Sequence, residues 1–338
     1  MTAFTTFDLV VLVVYLVGVT AWGAWLGRGQ TSGTDYFLGS RSLPWVAVML
    51  SVVATETSTL TFLSIPGVSY TGSLVFLQLT LGYLAGRLLV SILLLPAYYS
   101  GSLTTAYQLL EERFGLGARQ FTSAIFMVTR LLADSVRLFA TAIPLAIITG
   151  WPFPASIAVI GFMTVIYTYF GGIKAVVWVD AVQMGLYLFG ALVAIVAVQG
   201  MVPDGWASVL SSASSAGKLR VFDFSLNLST TYTVWAGVFG GAVFTMASHG
   251  TDQLIVQRLL TCKDQRSAQK ALVGSGAVVI LQFLLFLIVG LGLWSFYGGR
   301  DFTRSDDIFA LFIVEQLPPG SVSYTHLRAH EAEAERVC

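Results

Sequence analysis

Thr55, Glu56, Thr57, Ser58, Thr59 and Thr61 crowd into the middle of an otherwise apolar run, residues 51–67 (SVVATETSTLTFLSIPG). A carboxylate at the centre of a bilayer costs about 2.5–3.5 kcal/mol on insertion scales, so it calls for a partner or a ligand. The hydroxyl and β-branched residues, with Pro66 and Gly67 closing the run, weaken a regular helix there. A membrane helix that loosens among hydroxyls offers carbonyl and Ser/Thr oxygens, the hard donors that a small cation takes. The same residues allow a plainer arrangement, in which the hydroxyls bond back to the preceding turn and Glu56 pairs with an arginine.

Other polar groups interrupt apolar surroundings. Arg87 lies in GYLAGRLLVS, Asp180 early in a later run, and His249 and Asp252 near the end of another. Arg130, Asp134 and Arg137 fall within an arc of about 60° at helical spacing, and therefore share a face. Such groups neutralise one another in the interior or bind something. One reading is a structural network in which Asp134 serves both of its neighbouring arginines and Glu56 serves Arg87. The other uses the spare positive charge of two arginines beside one aspartate to hold an anionic solute. Gln78, Thr80 and Tyr83 are placed either to bond a polar solute or to pack. His249 reads as a satisfied interior histidine. Hydrolytic chemistry finds no support: HExxH, GxSxG and a phosphate loop are all lacking, and the adjacent pair Ser248 and His249 has poor geometry for a dyad.

The elements that must position these groups are helical and membrane-spanning. Of 338 residues, 56% are hydrophobic and 11% charged, and the mean hydropathy is +0.78; soluble domains carry about 25% charge. Net charge is zero, which removes any basis for nucleic-acid binding. Two cysteines, Cys262 and Cys338, make no disulfide framework. At about 20 apolar residues per span, eight segments are expected near 7–26, 43–65, 74–99, 121–149, 154–170, 175–200, 231–257 and 271–297. Arg28, Arg41, Arg113, Arg119, Lys174, Arg258, Lys263, Arg266 and Lys270 fall in one alternate set of loops, making that set cytoplasmic and the N-terminus external. Residues 103–114 read as a short amphipathic surface helix, and 201–230 as an irregular outer loop.

Residues 169–183 (YFGGIKAVVWVDAVQ) resemble the signature of the sodium:solute symporter family. Three further stretches agree in order: 35–45 (DYFLGSRSLPW), 51–67, and 252–258 (DQLIVQR) followed by Ala268, Gln269 and Lys270. The resemblance, over roughly residues 8–319, implies an all-α polytopic membrane protein with a LeuT-type inverted-repeat bundle around a midplane site. Residues 7–26 would be an extra N-terminal helix, 43–200 the first five-helix repeat, 201–230 an extracellular loop, and 231–297 the first two helices of an incomplete second repeat. The tail 321–338 turns abruptly polar and reads as non-native.

By the same resemblance, sodium binds at Ala54, Thr57 and Ser58, with Asp180 matching an aspartate that helps hold another sodium in some members. Solute contacts fall on Glu56, Ser58, Thr61, Gln78, Thr80, Tyr83, Arg130, Thr245 and Ser248, backed by a charge network of Arg87, Asp134 and Arg137. Arg130 resembles the carboxylate-binding arginine of sialic-acid symporters. The implied activity is sodium-coupled symport of a sugar, sugar acid or other carboxylate by alternating access, in a plasma or bacterial inner membrane. Sodium is the coupling ion, and neither enzymatic activity nor a protein partner is implied. A transporter-like sensor module and proton-coupled symport through Glu56 stay open as alternatives.

Overall fold

The computed structural model describes residues 6–317 except 101, 102, 104, 150 and 228; the tail 321–338 lies outside them. In chain order the helices are α1 Thr6–Leu26, α2 Gly33–Leu38, α3 Trp45–Glu56, α4 Thr59–Thr71, α5 Leu77–Leu93, α6 Leu95–Ser100, α7 Gln108–Phe114, α8 Leu116–Thr149, α9 Phe153–Met201, α10 Gly205–Ser215, α11 Gly241–Gly250, α12 Gln253–Leu260, α13 Gln265–Phe296 and α14 Asp307–Gln316. Among the described residues the sole β-type pairing is an isolated parallel bridge between Leu43 and Cys262. It brings the start of α3 beside the end of α12.

Among the described residues, Leu74–Ser100, Thr168–Met201 and Gln265–Phe296 are long and apolar enough to cross a membrane, and the bent pair α3–α4 makes a fourth when counted as one span. The other expected segments are less plain. α8 is long but carries Arg130, Asp134 and Arg137, and the region 231–257 is broken.

Three departures from the expected elements have local causes. The expected outer loop contains α10, in which an apolar face of Val209 and Ala213 buries against α9 and α13. Segments 154–170 and 175–200 form one helical run, α9, that kinks at Gly172 with φ 56° and ψ −162°. That backbone region is open to glycine and strained for other residues. The preceding Gly171 carbonyl accepts from Gln30 Nε2 at 2.8 Å, so the paired glycines let the chain after α1 lie against the bend. Third, the expected amphipathic helix over 103–114 is helical from Gln108 onward, to Phe114.

α3 packs on α9 and α13, α4 on α13, and α5 on α11 and α13. In lipid an exposed leucine is as well solvated as a buried one, so close backbone approach replaces the hydrophobic effect as the packing force. Gly82 and Gly86 on α5 provide it. A Cβ at Gly86 would stand 2.6 Å from the Cβ of Thr245, and one at Gly82 would stand 3.0 Å from the Cα of Gly241. This seam holds α11 against α5 and positions the polar groups on both.

Candidate functional site

Two helix breaks face one cavity. The first lies at Thr57 and Ser58, whose extended backbones (φ −91°, ψ 116° and φ −104°, ψ 166°) separate α3 from α4 with a bend of 68°. Ser58 caps α4 in a reciprocal box with Thr61, so a run of hydroxyls ends one helix and starts the next. The helix then continues through Pro66 and Gly67 to Thr71, past the expected segment end near 65. Ser69 Oγ donates to the Pro66 and Leu287 carbonyls at 3.2 and 2.7 Å, tying α4 to α13 across the proline.

The second break, at Thr251 and Asp252, divides the expected span 231–257 into α11 and α12. Asp252 caps α12 by accepting from the Leu254 N–H at 2.8 Å. Gly250, Thr251 and Asp252 read as stop and start signals once seen together, but they sit inside an apolar run that hid them.

A cavity of about 430 Å³ opens between the breaks. Of the expected site residues, Glu56, Thr57, Thr61, Tyr83, Arg130, Thr245, Ser248 and Arg137 line it. So do Thr55, His249, Asp252 and the apolar Ile65, Phe76, Phe244, Ile255 and Phe283, which the sequence did not single out as contacts. Several expected contacts lie elsewhere. Gln78 is buried and accepts the Asp223 N–H at 3.1 Å through Oε1. Thr80 donates to the Leu77 carbonyl at 2.6 Å, and Ser58 is engaged in its cap.

The charges fall into two groups around the cavity. Arg87, fully buried, donates through Nη2 to both oxygens of Glu56 at 2.6 and 2.5 Å. His249 Nε2 lies 2.9 Å from Glu56 Oε2, and Ser248 Oγ lies 2.9 Å from His249 Nδ1. The adjacent pair is thus hydrogen-bonded. Across the cavity, Asp134 pairs with Arg130 at 3.1 Å and Arg137 at 3.4 Å, and Arg130 reaches Asp252 at 3.5 Å. Arg130 Nη2 is buried without a hydrogen-bond partner among the described residues. It is a donor left over in the wall of the cavity.

Asp180 sits apart, toward the Leu43–Cys262 bridge. Its Oδ2 accepts from Ser51 Oγ and pairs with Arg258 Nε at 3.2 Å. Ser51, Asp180 and Arg258 are all buried and come from α3, α9 and α12. Among the described residues Asp180 Oδ1 has no hydrogen-bond partner. A buried ion pair here is strong against loss of one partner and close to neutral as a pair.

A family model described as "Sodium:solute symporter family" matches residues 36–301. The chain belongs to that family. It is 33% identical over 307 residues to the human sodium/iodide cotransporter, covering 88% of this chain and 47% of that one. It is 30% identical over 322 residues to the mouse sodium-coupled monocarboxylate transporter 1, covering 94% and 52%. It spans about half the length of the curated relatives it matches. A solved Na+-coupled sialic acid symporter in a substrate-bound outward-open state superposes with a TM-score of 0.87 at 26% identity, covering 98% of this chain and 71% of that one. The chain is thus an all-α membrane protein of LeuT-type fold.

The first break of this family member suits sodium by chemistry. The Thr57 N–H divides its hydrogen bond between the Val53 and Ala54 carbonyls at 3.1 and 3.2 Å; Val53 also accepts the Thr57 hydroxyl at 2.8 Å, so the Ala54 carbonyl is the one that retains acceptor capacity. These carbonyls end α3, where the helix dipole favours a cation. Gln282 braces the break: its Nε2 donates to Thr57 Oγ1 at 3.0 Å and to the Tyr187 hydroxyl at 3.3 Å.

Proposed function

We propose that the protein of which this chain is part or whole performs sodium-coupled symport of a small polar solute by alternating access. The carrying observation is the pair of facing breaks, 57–58 and 251–252, around one mixed-charge cavity. Sodium binds among the carbonyls of Ala54 and Thr57, with the Ser58 hydroxyl beside them, and steadies α3 against α4. Asp180 Oδ1 is the oxygen left for a second cation. The solute occupies the cavity, contacting Glu56, Thr61, Tyr83, Arg130, Thr245 and Ser248. Arg130 Nη2 takes an acidic group, as the carboxylate or sugar-acid class would supply, and relatives named for monocarboxylates and sialic acid support that class.

The ion pair of Asp180 with Arg258 fastens α9 to α12 at the Arg/Lys-rich end, which the loop charges assign to the cytoplasm, leaving the N-terminus outside a plasma or bacterial inner membrane. Moving one sodium down 100 mV supplies about 2.3 kcal/mol, enough to concentrate the solute nearly fiftyfold. Proteoliposomes loaded with potassium and placed in sodium or choline at fixed pH test the reading. Uptake of labelled lactate or sialic acid that needs sodium supports it. Uptake that follows pH and ignores sodium replaces it with proton coupling.

A further inference from the structure

We propose that Ser248 meets the solute as a hydrogen-bond acceptor alone, and that the site therefore selects a solute presenting a hydroxyl or N–H donor to the α11 wall. The inference rests on the transport reading above and names one chemical feature of its substrate.

Proton accounting leads there. Arg87 Nη2 lies 2.6 and 2.5 Å from the two oxygens of Glu56, nearer than its 3.1 Å from His249 Nε2, so the carboxylate is its principal partner. The Nε2 atom is also 2.9 Å from Glu56 Oε2. Two acceptors at that distance would repel, so Nε2 bears the proton and donates it to the carboxylate. In this neutral tautomer Nδ1 is an acceptor. The Ser248 hydroxyl, 2.9 Å away, must then donate its single proton to Nδ1, leaving lone pairs toward the cavity that Ser248 lines.

The relay Ser248, His249, Glu56, Arg87 thereby converts an ambivalent hydroxyl into a fixed one. A free serine can turn its proton toward any solute atom. A serine whose proton is committed to a buried histidine (5% exposed) repels an acceptor, whether carboxylate oxygen, halide or fluorine. The acidic end of a solute is thus directed to Arg130, and the end beside Ser248 must donate.

Two measurements test this. The first needs no solute: 15N NMR of the histidine-labelled full chain in nanodiscs, with the His249 signals identified by their loss in His249→Gln. The expected result is an Nε2–H tautomer whose unprotonated Nδ1 shifts in Ser248→Ala. An Nδ1–H tautomer, or an Nδ1 signal indifferent to Ser248→Ala, overturns the proposal. The second compares lactate with 2-fluoropropionate, which exchanges the hydroxyl for fluorine, as inhibitors of sodium-dependent uptake. Lactate is expected to bind at least about tenfold tighter, with Ser248→Ala collapsing the ratio toward one. Equal binding to the wild-type chain overturns the selection. If neither compound binds, the monocarboxylate reading of the site fails, and the NMR result still decides the state of the serine.

Discussion

Glu56 Oε2 and His249 Nε2, 2.9 Å apart, join the last turn of α3 to the last turn of α11, immediately before each helix breaks. Arg87 on α5 holds the same carboxylate from behind, so three helices share one charge. Losing one partner of a buried pair costs about 3–5 kcal/mol; with Glu56 21% exposed, the lower end applies. Glu56→Ala should therefore lower the thermal midpoint in detergent sharply. Glu56→Gln combined with Arg87→Gln should recover part of the loss. A loss in the double variant equal to the sum of the Glu56→Gln and Arg87→Gln losses would show that the charges act independently.

Gln282 is 1% exposed and braces Thr57 from α13. Gln282→Leu keeps the bulk, removes the amide bonds to Thr57 and Tyr187, and is expected to cost about 1–3 kcal/mol. The signature is local. Amide exchange over residues 57–62 should quicken in sodium-free buffer while α9 stays protected.

The buried cluster of Ser51, Asp180 and Arg258 reports through Cys262, which is 0% exposed beside Leu43. In a Cys338→Ser background, a membrane-permeant maleimide should label Cys262 slowly in the parent. Asp180→Asn removes the ion pair with Arg258 and should speed labelling several-fold. Unchanged labelling would mean that packing of α3 on α12 closes this end without the ion pair.

Gly86 faces Thr245 across the seam between α5 and α11. Gly86→Val should separate the two helices and abolish a folded state, whereas Gly18→Val, with open space around it, should be tolerated. Size-exclusion behaviour of the two variants in mild detergent decides this.

Outside the spans, the Ser40 and Ser32 hydroxyls and the Thr31 N–H around Asp35 hold its carboxyl down to a pKa of about 2. A depressed pKa stabilises the fold fully above the ordinary value of 3.8, with the contribution lost as pH falls toward 2. Asp35→Asn should lower the thermal midpoint near neutral pH and flatten its fall between about pH 4 and pH 2.

Much of this was written in residue type. Glu56 and Arg87 stood out because charge is expensive inside an apolar run, and the break at 57–58 because hydroxyls compete with helix bonding. Pro66 was misleading: α4 carries it because neighbouring Ser69 and α13 hold that turn in place. The second break escaped notice because Gly250 to Asp252 lie within hydrophobic surroundings. His249 and Asp252 were undervalued for a related reason. Their partners come from α3 and α8, and helical spacing shows which face a residue shares without showing which helix lies opposite. Gln78 and Thr80 are absent from the cavity lining for a similar reason, Gln78 Oε1 and Thr80 Oγ1 being engaged by Asp223 and Leu77.

Sodium acting at the 57–58 break is the centre of the account. Hydrogen exchange of the chain in nanodiscs, compared in sodium and in choline at equal ionic strength, reads it directly. Sodium should slow exchange over residues 54–62, and Thr57→Ala with Ser58→Ala should raise the sodium concentration needed. Exchange there that is identical in sodium and choline would contradict the assignment.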